Sequence, residues 1–427
     1  MAQDNKEFTF SGGALSFFQS SKWSLIAGGI TAPSGFKASG VSAGLKPSKK
    51  LDLALLVTSP NAQCSGTFTQ SFVRAKCINL CLERLSKTAG KVRAVLVNSG
   101  HANACTGNRG IDDSLIATRA LAEKLDLLEE EVLICSTGVI GEPIPMQKLL
   151  KGLDPLVMNL SKEGGSDAAK AILTTDLIEK EIAIEGYLGD RLIRIGGMAK
   201  GSGMIHPNMA TMLGFLTCDA GLPKDVWDAM IDRVVDCSFN AISVDGDTST
   251  NDSFLAFAQG DILDSQHFNE LEIGLKLVST YLAQSIVRDG EGANCLFEVK
   301  VKGTSKIAHA QIIARQICSS CLVKTAIHGC DPNWGRILSA AGSTGIPFSL
   351  DEVSIWIGSF QVMSNGQPVE FNRKLVIRYM KEIIKGNNAS DEKLIISLVV
   401  GRSEIEAIAW GCDLSSEYIH INADYTT

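Results

Sequence analysis

No apolar run in the 427-residue sequence reaches about 18 residues, the length a membrane-spanning helix needs, so no transmembrane helix is expected. A basic excess is missing too. The net charge of −7 argues against nucleic acid or an anionic membrane as the main partner. Metal and disulfide frameworks lack their patterns. Only Cys318-Ser-Ser-Cys321 has C-x-x-C spacing, and neither a second pair nor a nearby histidine completes a zinc set. Most of the 12 cysteines lie in apolar contexts such as Leu133-Ile-Cys135 and Arg315-Gln-Ile-Cys318, so buried reduced thiols of a cytosol-type protein are expected. An internal repeat, a low-complexity tract and a dividing linker are all absent, and no G-x-S-x-G elbow lies in the stretch from Gly196 to Asp219. The opening MAQDNKEFTFSGGALSFFQSSKW carries early acids and no long apolar core, and reads as a short extension rather than a signal peptide.

What is present is a soluble globular balance, 45% hydrophobic and 20% charged, in a chain long enough for two or three domains. Short apolar runs with strand character alternate with amphipathic stretches of helical spacing, which gives α/β or α+β. Strands are expected over Leu51 to Thr58, Arg93 to Val97, Glu131 to Cys135 and Leu322 to Ile327. Helices are expected over Asp112 to Leu125, Ile144 to Leu160, Ser166 to Ile178, Lys224 to Val235 and Glu270 to Ser285. Asp331-Pro332 supplies a cap and first position for a later helix.

The chain is organised around GGMAKGSGMIHPNMATMLGFLTCD, from Gly196 to Asp219. Glycine and Pro-Asn punctuation marks a loop, and the apolar run from Met212 to Leu216 marks a buried strand. Thr211 therefore sits at a loop-to-strand edge, behind the small Ala210. A threonine hydroxyl is a poor nucleophile alone, but the α-amino group of the same residue serves as its base once the chain is cut before it. On local physics alone, a plain turn is the commoner meaning of such a segment.

Other polar clusters follow strands. Asn98-Ser-Gly-His-Ala-Asn-Ala-Cys-Thr106-Gly107 suits either a binding loop or the cap of the helix behind it. In Ser136-Thr137-Gly138-Val139-Ile140-Gly141, a hydroxyl and an unencumbered backbone N–H stand side by side, a pair able to hold an oxyanion. Val244-Asp-Gly-Asp-Thr-Ser-Thr-Asn-Asp252 is acidic but lacks the closing glutamate of a calcium loop, and reads as a structural or site-lining turn. Glu291, between two glycines, can approach an ammonium group closely. Lys200 suits a carboxylate, although a solvated loop lysine is commoner. His206 reads as structural.

KGSGMIHPNMATML resembles the self-cleavage motif of the ornithine acetyltransferase family, the bifunctional glutamate N-acetyltransferases and amino-acid acetyltransferases of arginine biosynthesis. Similar blocks occur in order along nearly the whole chain: GGITAPSGF, NSGHANACTG, STGVIG, TTD, DGDTSTND, DPNWGR and the closing NADYTT. Glu142 departs from the basic residue often seen just outside STGVIG. The resemblance implies an α/β (α+β) multi-layer sandwich, with the layout of N-terminal-nucleophile hydrolases and a second, smaller α/β domain. It implies cleavage between Ala210 and Thr211 into an α chain, 1–210, and a β chain, 211–427, assembled as α2β2 in the cytoplasm. Thr211 becomes the nucleophile, and Thr137 with Gly138 the oxyanion hole. Thr174, Lys200, Thr211, Glu291, Asn422 and Thr427 become substrate contacts, the last two from a tail folded back over the substrate. DPNWGR is assigned to packing and assembly.

The implied reaction moves acetyl from N-acetylornithine to glutamate through an acetyl-threonine. The family holds mono- and bifunctional members, so acetyl-CoA is an optional co-substrate and no other cofactor or metal is expected. A self-processing aminopeptidase or amidase of the same layout, or an uncleaved binding protein, stays open at this point.

Overall fold

The structure is a computed structural model that describes residues 22–206, 212–385 and 393–424. Its first strands are β1 (Ser24–Ile26), β2 (Lys37–Val41), β3 (Leu53–Val57) and β4 (Gln63–Phe68), followed by α1 (Lys76–Lys87), β5 (Ala94–His101) and α2 (Arg109–Leu125). Then come β6 (Val132–Val139), α3 (Met146–Met158), α4 (Gly165–Ala171), β7 (Lys180–Leu188), β8 (Arg191–Lys200) and β9 (Leu213–Cys218). After α5 (Lys224–Asp236), β10 (Ile242–Ser243) and β11 (Ser253–Ala258), the long α6 (Phe268–Arg288) closes the first unit.

Two sheets form its centre, a four-stranded one in the order β2-β3-β5-β6 and a six-stranded one in the order β1-β7-β8-β9-β11-β4. The middle strands are near-continuous apolar runs because both faces are covered. Leu55, Val95, Leu96 and Ile134 of the smaller sheet share one core with Met198, Leu213, Phe215, Leu255 and Phe257 of the larger. Side chains of α1 to α4 join that same core, among them Cys81, Leu121, Leu153 and Ala168. On its other face the larger sheet packs Ile195, Leu216 and Phe254 against Trp227 and Met230 of α5 and Leu275 and Leu282 of α6. The layers therefore run helix, sheet, sheet, helix, as expected.

The second unit runs on through β12 (Leu296–Lys302), α7 (Ile307–Ser319), α8 (Cys321–His328), α9 (Trp334–Gly342), β13 (Ser354–Ile357), β14 (Phe360–Ser364), β15 (Gln367–Pro368), α10 (Arg373–Lys385), β16 (Leu394–Val399) and β17 (Glu406–Cys412). Its sheet has the order β10-β17-β12-β16-β13-β14-β15, over a separate core that includes Phe297, Val299, Ile313, Ile355 and Leu398. The parallel pairing of Ile242 with Trp410 stitches this sheet to the sandwich. A final helix, α11 (Ser416–Ala423), returns to the first unit. No helix of the described residues is long and apolar enough to cross a membrane. All the cysteines are free, most of them buried, with Cys105 and Cys321 exposed.

Three local expectations need correction. Leu322 to Ile327 is helix, not strand. The Ser320 hydroxyl accepts the Val323 N–H at 3.4 Å as a cap, and Val323, Ala326 and Ile327 bury one helical face. The helix expected over Ser166 to Ile178 stops at Ala171, because buried carboxylates take the next amides. Asp176 accepts Thr174 N–H at 3.0 Å, and Asp289 accepts Leu177 N–H at 3.1 Å. Thr174 is thus a loop residue. The helix expected from Asp331-Pro332 begins only at Trp334, with Asn333 at its cap position.

Candidate functional site

The parallel pair β5–β6 ends in a register shift at Gly100/His101, which presents Thr137 and Gly138 past the apolar part of β6. Gly138 has φ +130, and a Cβ there would lie 2.2 Å from the Gly100 carbonyl carbon, so only glycine fits. Lys200 arrives from the other sheet as the last residue of β8, opposite Leu213 of β9. Its Nζ donates to Thr137 Oγ1 at 3.3 Å. With a cation donating to that oxygen, the Thr137 O–H is left to donate to a third group in the cavity. Lys200 is only 3% exposed, and burial lowers its pKa against the opposing pull of Asp176, Asp252 and Glu291.

The loop after α4 is held from beneath. Asp176 Oδ1 accepts the Gly201 N–H at 2.7 Å and pairs with Lys180 Nζ at 2.7 Å, and Lys180 also meets Asp289 at 2.6 Å. Burial would raise Asp176, but Lys180 and Lys200 with these hydrogen bonds outweigh it and hold the carboxyl well below the usual range. Thr175 Oγ1 lies 2.7 Å from Ser202 Oγ, so the threonine loop and the glycine-rich loop are joined.

Glu291 enters from the turn after α6, its N–H bonded to the Ser202 carbonyl at 2.8 Å. A Cβ on Gly203 would lie 2.5 Å from the Glu291 carboxyl, so this glycine makes room for the acid. Asn422 of α11 donates to Glu291 Oε2 at 2.8 Å. The helix is anchored by Ser415 Oγ on the Gly292 carbonyl at 2.7 Å and by Tyr418 Oη on Asp245 at 3.2 Å. This helix sets Asn422 beside the turn that carries Glu291.

Together these elements enclose a cavity of about 300 Å³. Thr137, Gly138, Thr174, Lys200, Glu291 and Asn422 all line it, as do Ser249, Thr250 and Asn251 of the acidic turn. Ala210, Thr211 and Thr427 lie outside the described residues.

Several contributors carried no assigned role in the sequence reading. Asn251 Nδ2 donates to the Ala102 and Ser136 carbonyls at 2.6 and 2.9 Å, clamping the ends of β5 and β6. Asp252 is buried and accepts the Met212 N–H at 3.0 Å, which fixes the first described residue after Thr211. Burial raises its carboxyl well above the usual range. Their only sequence signal was their place in the D-x-DTSTND block. NSGHANACTG divides its work. Ala102 lines the cavity, whereas Asn103 donates to Gly110 O at 2.9 Å and to Ser114 Oγ at 3.0 Å, holding the start of α2. His206 does not line the cavity. Its Nδ1 lies 3.2 Å from Ser243 Oγ, a structural contact. Arg336 of DPNWGR donates to the Leu322 carbonyl at 2.7 Å, packing α9 on α8. Among the described residues, no group of His, Cys, Asp and Glu could hold a metal ion.

The ArgJ family model matches residues 37–427, nearly the whole chain. The chain belongs to the ArgJ family. The arginine biosynthesis bifunctional protein ArgJ of Prochlorococcus marinus strain MIT 9313 is 57% identical over 427 residues, covering 100% of both chains. The ArgJ protein of Synechocystis sp. is 47% identical over 95% of this chain and 99% of its own. Among solved structures, the ornithine acetyltransferase of Mycobacterium tuberculosis complexed with ornithine is 41% identical, with a TM-score of 0.40 over 43% of this chain and 98% of that one. ArgJ from Bacillus halodurans is 38% identical, with a TM-score of 0.42 over 44% of this chain and 98% of that one.

Proposed function

We propose that this ArgJ family member is an ornithine acetyltransferase of arginine biosynthesis that cleaves itself between Ala210 and Thr211. It then carries acetyl from N-acetylornithine to glutamate on the Thr211 oxygen. The observation that carries this reading is the convergence of Thr137, Gly138, Thr174, Lys200, Glu291 and Asn422 on one cavity, although they lie far apart in sequence.

In the precursor, the Thr211 hydroxyl attacks the Ala210 carbonyl, and water resolves the resulting ester into chains 1–210 and 211–427. The freed α-amine, with a reference pKa of about 7.7–8.0, is suited to take the hydroxyl proton near neutral pH. In turnover the Thr211 oxygen bonds to the acetyl carbon, the amide C–N bond breaks, and the proton passes to the departing ornithine amine. Glutamate's amine then attacks the acetyl ester and restores the hydroxyl. The Thr137 hydroxyl and Gly138 N–H stabilise the oxyanion of each tetrahedral intermediate. Lys200 pairs with the α-carboxylate that both amino acids carry, and Glu291, steadied by Asn422, takes the side-chain ammonium of ornithine. Thr174 and Thr427 complete the substrate contacts.

Strands β8 and β9 are direct neighbours in one sheet, Lys200 beside Leu213, so the two chains would remain joined by that ladder after the cut. An α2β2 assembly in the cytoplasm, and acetyl-CoA as a second acetyl donor, belong to the same proposal. The relatives named bifunctional support the second donor.

Intact mass together with a transfer assay tests the reading. Two chains divided before Thr211, with N-acetylglutamate formed from N-acetylornithine and glutamate, are expected. A continuous 45.6 kDa chain transferring acetyl at full rate would overturn the mechanism. Release of acetyl only to water would point instead to an amidase.

A further inference from the structure

A second cavity, of about 620 Å³, opens beside the first and shares Thr174 and Thr175 with it. Four lysines line it. Lys46, Lys49 and Lys50 come from the loop between β2 and β3, and Lys170 from the end of α4. The acids on its wall are already engaged, Asp176 by Lys180 at 2.7 Å and Glu179 by Lys170 at 4.0 Å. Among the described residues, no ion pair engages Lys46, Lys49 or Lys50, and Lys49 and Lys50 are exposed. The cavity therefore carries surplus positive charge.

The lysine loop is a built structure. Asp52, fully buried, accepts the N–H groups of Ala43 and Leu45 at 2.6 Å and that of Lys46 at 3.1 Å. Ser42 Oγ donates to the Lys49 carbonyl at 3.1 Å. Lys46 Nζ donates to two backbone carbonyls, Leu51 at 2.9 Å and Leu173 at 2.7 Å, so the ammonium is held in the wall. Burial pushes its pKa down to about 8, as for a cation without a neutralising partner in contact.

Size separates the two cavities. About 300 Å³ suits an acetylated amino acid, and its charged groups match an amino acid's own charges. The bulk and phosphates of a nucleotide-type acetyl donor would need a separate, positively charged chamber connected to it.

The geometry points to the lysine cavity as the phosphate subsite of a polyphosphate-bearing acetyl thioester, whose arm passes Thr174 and Thr175 to the catalytic cavity. This rests on the reading of the first cavity as the acetyl-transfer site. There the Thr211 oxygen bonds to the acetyl carbon, the C–S bond breaks, and the hydroxyl proton leaves on the thiol. Lysines suit phosphates as point charges, and their mobile heads tolerate a flexible polyanion.

The test is the double variant Lys49→Glu/Lys50→Glu in the full chain, with both acetyl donors assayed and coenzyme A binding measured by calorimetry. The KM for acetyl-CoA and the Kd for coenzyme A are expected to rise about tenfold or more, with the KM for N-acetylornithine within about twofold of wild type. Lys46→Gln is expected to act in the same direction. An unchanged KM for acetyl-CoA in both variants would overturn the subsite and leave the transferase reading standing. So would a wild-type protein that transfers acetyl from N-acetylornithine but neither binds coenzyme A nor uses its thioester. Equal competition of inorganic phosphate and coenzyme A for the wild-type site would assign it to free phosphate and overturn the thioester proposal. Absence of transfer from N-acetylornithine would instead remove the reading on which the subsite rests.

Discussion

Replacing Thr137 with valine preserves the shape of the side chain and deletes its hydroxyl. In the structure that oxygen accepts from Lys200 Nζ at 3.3 Å, so its single proton is left for the cavity. Loss of one such donor costs about 3–4 kcal/mol of transition-state stabilisation, roughly 10²–10³ in kcat. Because the interaction tightens only as the oxyanion forms, the KM for N-acetylornithine should stay within about threefold of wild type. A second effect is independent of chemistry. Lys200, 3% exposed, loses an acceptor, and stability should fall by about 1–3 kcal/mol in denaturant unfolding. The proposed cleavage would pass through a similar oxyanion, so two-chain material should also appear more slowly by intact mass. Thr137→Ser returns the hydroxyl and should recover kcat to within about tenfold. If the valine variant turns over at the wild-type rate, or the serine variant is no better than valine, the hydroxyl is not a donor and the reasoning fails.

Glu291→Gln keeps the shape of the side chain and removes the charge proposed to meet ornithine's ammonium. The KM for N-acetylornithine should rise about tenfold or more, with a smaller change for glutamate, in separate half-reaction kinetics. Lys180→Met leaves Asp176 and Asp289 facing each other in the interior, the lysine and Asp176 side chains being 0% exposed, and should cost about 3–5 kcal/mol in urea unfolding. The pH dependence has a definite sign. The folded-state pKa of Asp176 is depressed, so its contribution is complete above the unfolded carboxylate value of about 3.9 and is lost as pH falls below it. Lys180→Met should flatten the acid limb of a stability–pH curve. Asp252→Ala frees the Met212 N–H next to the cleavage junction and should slow the appearance of two chains about tenfold, followed by timed intact mass after translation.

Local pattern carried much of the fold. The apolar runs that became β3, β5, β6 and β9 were legible because strands buried on both faces are continuous in hydrophobicity. The amphipathic helices α2, α3, α5 and α6 were legible by their period. Leu322 to Ile327 has strand character in sequence but is helix, since six apolar-rich residues look alike in either period, and only the Ser320 cap and the buried face separate them. The helix expected to reach Ile178 ended early for a reason only partly local, since Asp176 takes the Thr174 amide from within the segment. The carboxylate that takes the Leu177 amide is Asp289, from the far end of α6.

Residue chemistry alone pointed only weakly to Thr137, Gly138, Lys200 and Glu291, and the family resemblance nominated them together with Asn422. Their convergence was decided in three dimensions. Thr137 and Lys200 belong to different sheets and meet only because the sheets stack face to face, and Asn422 reaches Glu291 only because α11 docks on the turn after α6. The lysine cavity is of the same kind. Lys46, Lys49 and Lys50 belong to no motif of the sequence, and only the packing of the β2–β3 loop sets them against Lys170 and the threonine loop. Composition and periodicity act over a few residues, so the sequence determined which elements form and which side chains are available. Distances between charges depend on how layers pack, and that only the tertiary structure decided.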